Sequence, residues 1–440
     1  MQHSPSDREI QHTRTGTPPA PVFLRLWRGL GRALPGVFLS AAYLVHARQG
    51  SAKERRPERA GRATIARPKG PLVWIHGASL GEVSQLRLLV PALQKDLGVS
   101  VLITTMTQTG ADWVAAQLPD ALHQFQPSDT AAHWNRFLDH WRPTVGLVIE
   151  NDLWPTMLSA TANHGIPVMM LNARLSRSFD RYPGVYRHLL GFICSIHCRN
   201  DAVAAQFDRL GYDRANLLVG GDLKAFGGAL PKRPAEAAEL KVMIGHRTTW
   251  IAASTHADDE PVVLSAARAL KTQGGPLLVW APRHPRRAPQ IIAAAQAAGL
   301  TVAQRSQRTP IGPSTDIYLA DTTGEMGTIL ALSDIVFLGG GFGTEGGHNP
   351  YEPAAEGKAI LSGPRVRHFA EAFDVLAQSG AATFVNDAPG LTRAVTELSQ
   401  DQRAKDAGRA AKQVIASMPN PIEAIVGMIR PFVPKAEAER

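Results

Sequence analysis

The feature that most constrains the fold of this chain is a series of short apolar runs, beginning near residue 71, that alternate with stretches of helical periodicity. Positions 72–76, 99–105, 145–150 and 166–172 form a first set. A second set follows the glycine- and proline-bearing segment 220–234, at 250–254, 276–281, 317–320, 334–338 and 359–362. Runs this short and this uniformly apolar predict strands buried on both faces of a parallel sheet, with the intervening helices as crossovers. A chain of 440 residues exceeds one ordinary core. Two doubly wound α/β domains are therefore expected, over 63–225 and 235–410, with a C-terminal helical segment over 411–440 that packs back on the first.

In open parallel sheets, ligands bind beyond the carboxyl ends of the strands. The distinctive motifs of this chain fall at such ends. His76-Gly77-Ala78-Ser79-Leu80-Gly81-Glu82 follows the first run, Glu150-Asn151-Asp152-Leu153-Trp154-Pro155 the third and Asn172-Ala173-Arg174-Leu175-Ser176 the fourth. In the second half Ser254-Thr255-His256, Pro282-Arg283-His284-Pro285, Gly324-Glu325-Met326 and Gly346-Gly347-His348-Asn349-Pro350-Tyr351-Glu352 take the matching places. Two such sets, one per domain, predict a cleft between the domains. The run around Gly347 reads as a glycine-rich turn feeding a helix, whose free backbone N–H groups suit a phosphate. Glu352 then falls in the first helical turn, where a carboxylate can accept from the two hydroxyls of a ribose. Together they suggest nucleotide recognition.

Charge and cysteine content narrow the function classes. A net charge of +9 favours polyanionic partners: a phosphorylated substrate, an anionic membrane surface or nucleic acid. No RNA-binding aromatic motif or arginine-rich tract occurs in the wound domains, so no nucleic-acid partner is expected. Two cysteines, Cys194 and Cys198, rule out a disulfide scaffold. Their spacing would allow a metal half-site on a helix, but a structural zinc needs four ligands and no second pair exists. Buried thiols and no metal site are expected.

The N-terminus divides in two. Residues 1–21 are polar and proline-bearing, and disorder is expected there. Over 22–45 the chain turns apolar, with Phe23, Leu24, Leu26, Trp27 and Leu30 interleaved with Arg25, Arg28 and Arg32, and with Pro35 as a break. The unbroken piece after Pro35 is shorter than the roughly 20 residues that a bilayer span requires. With Lys53, Arg55, Arg56 and Arg59 following, 22–62 reads as a monotopic membrane-associating helix and a basic linker drawn to anionic headgroups. A helix packed on the protein's own core, with a solvated linker, is the other reading.

Taken in order, these motifs resemble the 3-deoxy-D-manno-octulosonic acid (Kdo) transferases of lipopolysaccharide assembly. The resemblance runs from about residue 22 to the C-terminus. It rests on Trp74-Ile75-His76 with Ser79, Gly81 and Glu82; Leu153-Trp154-Pro155; Asn172 to Ser176; Ser254-Thr255-His256; Pro282 to Pro285; Gly324-Glu325-Met326; and Gly346 to Pro350 with Glu352-Pro353. It implies a GT-B fold, a CMP-Kdo donor, a lipid A precursor as acceptor and inversion at the anomeric carbon. It also implies no metal or other cofactor, and an N-terminal segment on the cytoplasmic face of the inner membrane. The chain departs from the family in carrying Glu150-Asn151-Asp152 where Glu-Thr-Glu is usual, Gly77 for an alanine, and a different loop over 340–345.

The resemblance assigns Glu82 the general base; at a helix start the same carboxylate is also a cap. Gly81 permits close approach by a substrate, and with Ser79 it belongs to the acceptor side. Arg283, beside His284, is placed to meet the donor phosphate or the Kdo carboxylate through bidentate pairing. Gly324 and Met326 offer backbone N–H groups to the same phosphate, with Glu325 as a cap beside them. Ser254 and Thr255 line the phosphate region, and Asn349 and Glu352 hold the ribose next to Gly347. Glu150 orients Kdo or an acceptor group, and Arg174 clamps a lipid A phosphate. Two other readings stay open, a nucleotide-sugar epimerase of the same architecture and a non-catalytic paralogue that binds nucleotide or lipid.

Overall fold

The computed structural model describes residues 18–175, 177–227, 230–272, 274–400 and 402–434. The disorder expected over 1–21 falls outside the described residues up to position 17, and Ser176 of the Asn172 motif also lies outside them. The chain divides into two compact units, Met1–Gly227 with Pro419–Arg440, and Gly228–Met418.

Each unit is built on a seven-stranded, wholly parallel sheet. The first sheet comprises β1 (Leu72–His76), β2 (Ser100–Thr105), β3 (Leu122–Phe125), β4 (Val145–Ile149), β5 (Val168–Ala173), β6 (Ile193–Cys198) and β7 (Leu217–Val219), in the order β3-β2-β1-β4-β5-β6-β7. The second comprises β8 (Thr249–Thr255), β9 (Leu277–Pro282), β10 (Val302–Gln304), β11 (Ile317–Leu319), β12 (Ile335–Leu338), β13 (Ala359–Ser362) and β14 (Ala382–Phe384), in the order β10-β11-β9-β8-β12-β13-β14. The strand order reverses direction between β1 and β4 and between β8 and β12. Those are the switch points at which a crevice opens above the sheet.

The uniform apolarity of the central strands has a direct cause in the packing. Alternate residues of a strand face opposite sides, and both sides are core here. Leu72 and Trp74 enter one cluster with Trp134, Phe137 and Trp141, while Val73 and Ile75 enter another with Leu86, Leu93 and Ile425. In the second unit Trp250 and Ala252 face one core, and Ile251 and Ala253 the other. Five strands escaped the sequence reading: β3, β6, β7, β10 and β14. All lie toward the sheet margins, where sequences such as Leu122-His123-Gln124-Phe125 carry polar side chains that a central strand excludes. Cys194 and Cys198 sit on β6 rather than on a helix, and burial pushes their thiols up to about 11 and about 12.

The C-terminal segment is not a single helix. Arg403–Ser417 sends Ala411 and Val414 into the second unit's core. After Pro419, the helix Pro421–Ile429, capped by the Asn420 side chain and with proline in its first turn, places Ile425, Val426 and Ile429 in the first unit's core.

The apolar N-terminal stretch forms two helices, Val22–Ala33 and Pro35–Arg48, broken at Leu34 by the proline that follows. They pack on the first unit through Leu24, which is 1% exposed, through Trp27, whose indole N–H donates to Asp129 Oδ2 at 2.8 Å, and through buried His46. No helix among the described residues is long and apolar enough to cross a membrane. Their outer face is apolar all the same: Val22, Phe23, Leu26, Leu30, Val37 and Leu44 are each more than half exposed.

The linker corrects an expectation. Arg55 and Arg59 do not offer themselves to headgroups. Arg59 is buried, donates to the Gln126 and Met106 carbonyls and lies over the Phe125 ring, while Arg55 pairs with fully buried Glu58 and donates to the His123 carbonyl. A carboxylate at 0% exposure needs charge-assisted partners. Glu58 takes its second set from the Phe125 N–H at 2.7 Å and the Thr64 hydroxyl at 2.6 Å.

Candidate active site

In the first unit, three polar segments meet at the carboxyl ends of β1, β4 and β5. His76 ends β1 and Ser79 starts the one-turn helix Leu80–Val83. Glu82 reaches back to accept from the Ser79 N–H at 2.5 Å and from its hydroxyl at 2.8 Å, so the carboxylate is held at one oxygen. Burial raises its pKa above the ordinary carboxylate range; the Ser79 bonds oppose the rise, and the neighbouring charges of Glu150 and Asp152 add to it. A side chain at Gly81 would meet only the Ser79 hydroxyl at 3.9 Å, so the chain is open beside Glu82. Gly77 is the opposite case: a Cβ there would come within 3.2 Å of the Glu82 Cβ.

Behind this carboxylate lies a polar network that no single sequence motif marks. His76 is fully buried and bridges Thr104 Oγ1, at 2.9 Å from Nδ1, and Asp152 Oδ2, at 2.7 Å from Nε2. The Trp74 indole donates to the same Thr104 oxygen, so the threonine hydroxyl is left to donate to Nδ1 and the Nε2 proton goes to Asp152. Burial pushes the Asp152 carboxyl up, but its pairing with His76 outweighs this and holds the group below its usual range. Glu150 pairs with Lys224 at 2.6 Å and accepts from Gln85 at 2.9 Å. Asn172 donates to Gln85 and to Asp222, both at 2.8 Å. Lys224, Gln85 and Asp222 come from helical segments with no motif of their own, and only tertiary contact identifies them. Arg174 is half-buried just past β5.

Backbone strain marks strand ends in each unit. Glu150 at φ 60°, Asn172 at φ 50° and Ser254 at φ 54° are non-glycine residues in the left-handed region, all at the ends of central strands. Such conformations persist only where surrounding contacts fix them, and they concentrate at functional sites.

In the second unit the matching ends are β8, β9 and β12. Ser254 and Thr255 close β8, and the Thr255 hydroxyl accepts from the Trp280 indole at 2.8 Å, a buried bond that repeats the Trp74–Thr104 pair of the first unit. Thr255 is fully buried, with its hydroxyl held by that bond. Asp259, fully buried, accepts from the N–H groups of His256, Gly340 and Phe342 at 2.8, 2.7 and 3.2 Å and so anchors the glycine loop after β12. That loop fits because its glycines lack side chains: a Cβ on Gly339 would lie 2.6 Å from the Thr255 Cα.

Three histidines cluster above these ends. His256 Nε2 lies 2.9 Å from His348 Nε2 with the rings stacked, and His284 meets His256 edge-on. Burial and then the charge of Arg283 lower the His348 pKa to about 3. Burial and His256, together with Arg286, Arg283 and Arg287, lower His284. Arg283 itself is exposed and pairs with no carboxylate among the described residues. His348 is thereby held uncharged, and the positive charge that can meet an anion here is that of Arg283. Among the described residues no group of His, Cys, Asp or Glu is arranged to hold a metal ion.

Two donor-side positions gain detail. Glu325 is buried and its oxygens are taken by Arg233 and Arg305, each at 2.6 Å, and by the Thr322 hydroxyl; Arg305 and Thr322 with Arg233 hold it below the usual carboxylate range. Its side chain is held inside the fold beside the turn of exposed Gly324 and half-buried Met326. The helix after Gly347 is Tyr351–Ala355, five residues with Pro350 at its cap, so its end carries little of the dipole expected from the sequence. Asn349 accepts from the Tyr351 N–H at 3.1 Å and Glu352 lies half-buried in the first turn.

Two doubly wound units with polar, strained strand ends define a GT-B type α/β protein. The same fold occurs in a glycosyltransferase from Rickettsia africae, at 12% identity over 83% of this chain and 99% of that one, with a TM-score of 0.57. It occurs also in a UDP-GlcNAc 2-epimerase from Neisseria meningitidis bound to UDP-GlcNAc, at 14% identity over 82% and 99%, with a TM-score of 0.56. At these identities the likeness is one of fold.

Sequence decides the family. Residues 54–226 match the family described as 3-deoxy-D-manno-octulosonic-acid transferase. The chain is 32% identical over 83% of its length to a probable mitochondrial 3-deoxy-D-manno-octulosonic acid transferase of Arabidopsis thaliana, covering 85% of that protein. It is 30% identical to the Haemophilus influenzae transferase, over 85% of this chain and 89% of that one, and 32% identical to the Bordetella pertussis transferase, over 81% and 86%. The chain belongs to the 3-deoxy-D-manno-octulosonic acid transferase family and is a glycosyltransferase.

Proposed function

We propose that this protein transfers Kdo from CMP-Kdo to a lipid A precursor in lipopolysaccharide synthesis, with inversion at the anomeric carbon. The observation that carries the reading is Glu82: a carboxylate at the switch point of the first sheet, its pKa raised by burial and one oxygen held by Ser79. A base with that setting takes a proton from an acceptor hydroxyl in the transition state. The acceptor oxygen then bonds to the anomeric carbon, the carbon–oxygen bond to the CMP phosphate breaks, and the phosphate leaves with the electron pair. One in-line displacement inverts the centre. Glu150, held by Lys224 and Gln85, orients the sugar, and Arg174 meets an acceptor phosphate.

On the donor side, Arg283 receives the phosphate or the Kdo carboxylate, flanked by His284 and by the backbone of Gly347 and of Gly324-Met326. Asn349 and Glu352 hold the ribose. Stabilisation of the leaving phosphate falls to the arginine and the histidine cluster, since the short helix contributes little.

The N-terminal helices hold the protein at the cytoplasmic face of the bacterial inner membrane, apolar side chains down. Their exposed Val22, Phe23, Leu26, Leu30, Val37 and Leu44 support this reading. Incubation of the purified protein with CMP-Kdo and a tetraacylated, bisphosphorylated lipid A precursor tests the activity. Lipid mass should rise by whole Kdo units; release of CMP with unchanged lipid would overturn the assignment.

A further inference from the structure

The helix Val22–Ala33 has three faces. Leu24 and Gly31 are buried against the first unit, with Gly31 close to the Asp129 carbonyl, while Val22, Phe23, Leu26 and Leu30 point outward. Arg28 and Arg32, one turn apart on the third side, stand over a cavity of about 230 Å³ whose other walls are Ala131, Asn135, Thr156, Ser159, Ala160 and Asn163. Those walls belong to the helices Ala131–Trp141 and Pro155–Asn163, so three helices border the space, which opens to solvent where Arg32, Asn135 and Asn163 are exposed. A single water needs only roughly 10–15 Å³ of such volume. Neither arginine pairs with a carboxylate among the described residues, and the Asn135 and Asn163 amides have no hydrogen-bond partner among them. Arg55 and Arg59 of the linker, by contrast, are consumed inside the fold.

We propose that this cavity binds the headgroup phosphate of one anionic phospholipid molecule, with the Arg28 and Arg32 guanidinium groups as charge-assisted donors and the Asn135 and Asn163 amides completing the shell. The inference rests on the membrane placement proposed above. Its occupant follows from charge and position. An amphipathic helix in the interface sinks its apolar face roughly 5–10 Å into the headgroup and acyl boundary, the depth at which lipid phosphates lie. Two guanidinium groups on the flank of that face meet a phosphate bidentately. The site would fix which way the helix lies and retain the protein on anionic bilayers beyond what diffuse attraction gives.

The test uses the full chain and vesicles of phosphatidylcholine with or without phosphatidylglycerol. Arg25 is on the same helix with the same charge but does not line the cavity, so Arg25→Gln is the matched control. Diffuse attraction is worth about fivefold in vesicle affinity per cation, wherever the cation sits. The cavity predicts a loss of about fivefold for Arg25→Gln, well over tenfold for Arg28→Gln and for Arg32→Gln, and a clear loss for Asn163→Leu and Asn135→Ala, which change no charge. Thermal unfolding of each variant checks that it is folded, and the two asparagine variants guard against loss of either one. Equal losses for the three arginine variants, with none for the asparagines, would overturn the site and leave membrane binding standing. No binding of the intact chain to phosphatidylglycerol vesicles would remove the membrane placement and the site together. Inorganic phosphate supplies the remaining arm: binding to it that Arg28→Gln abolishes, with no gain on vesicles, would replace the lipid by a soluble phosphate ligand.

Discussion

Glu82 is held between opposing influences. Burial and the charges of Glu150 and Asp152 raise its pKa, and the two Ser79 hydrogen bonds lower it. A base is inactive when protonated, so a raised pKa moves the acid limb of the rate profile to higher pH than an ordinary carboxylate would give. Ser79→Ala removes one of the lowering bonds and should shift that limb further upward, as kcat/KM measured against pH would record. Glu82→Gln keeps the shape and removes the basicity. Turnover should fall by roughly 10²–10⁴ while nucleotide affinity is kept; near-normal turnover would exclude the role. Motifs placed Glu82, Arg283 and Glu352 at strand ends from the sequence alone. Lys224, Gln85 and Asp222 were illegible, because what singles them out is contact with Glu150 and Asn172 from distant positions.

Among the elements, the N-terminal helix pair depends on one buried carboxylate. Asp129 accepts from the Trp27 and Trp134 indoles and from the N–H groups of Thr156 and Met157, so it caps the helix Pro155–Asn163 and tethers the helix Val22–Ala33 together. Asp129→Ala would leave four donors without that acceptor, at a cost of roughly 2–5 kcal/mol. Denaturant unfolding should report the loss, and Trp27 fluorescence should move to longer wavelength as the helix loosens. The glycine loop after β12 depends in the same way on Asp259, a residue that only proximity to Gly340 and Phe342 brings into view.

For the whole molecule, stability and membrane attachment should separate on a single helix. Leu24→Ala opens a buried site and should cost roughly 2–5 kcal/mol in unfolding without altering vesicle binding by the folded protein. Leu26→Asp with Leu30→Asp changes exposed side chains only; sedimentation with anionic vesicles should be lost while the unfolding midpoint is kept. Deleting the helices outright would confound the two, since Leu24, Trp27 and His46 belong to the first unit's packing. The central strands, the motifs at their ends and the family were written in the sequence, because a strand buried on both faces must be apolar throughout and ligand chemistry must sit where the strands stop. Tertiary structure alone decided which cations and which acids are spent on partners inside the fold. The linker arginines Arg55 and Arg59 are spent on buried Glu58 and on backbone carbonyls, and Glu325 on Arg233 and Arg305, since a charge removed from water takes whatever partner the fold brings within reach.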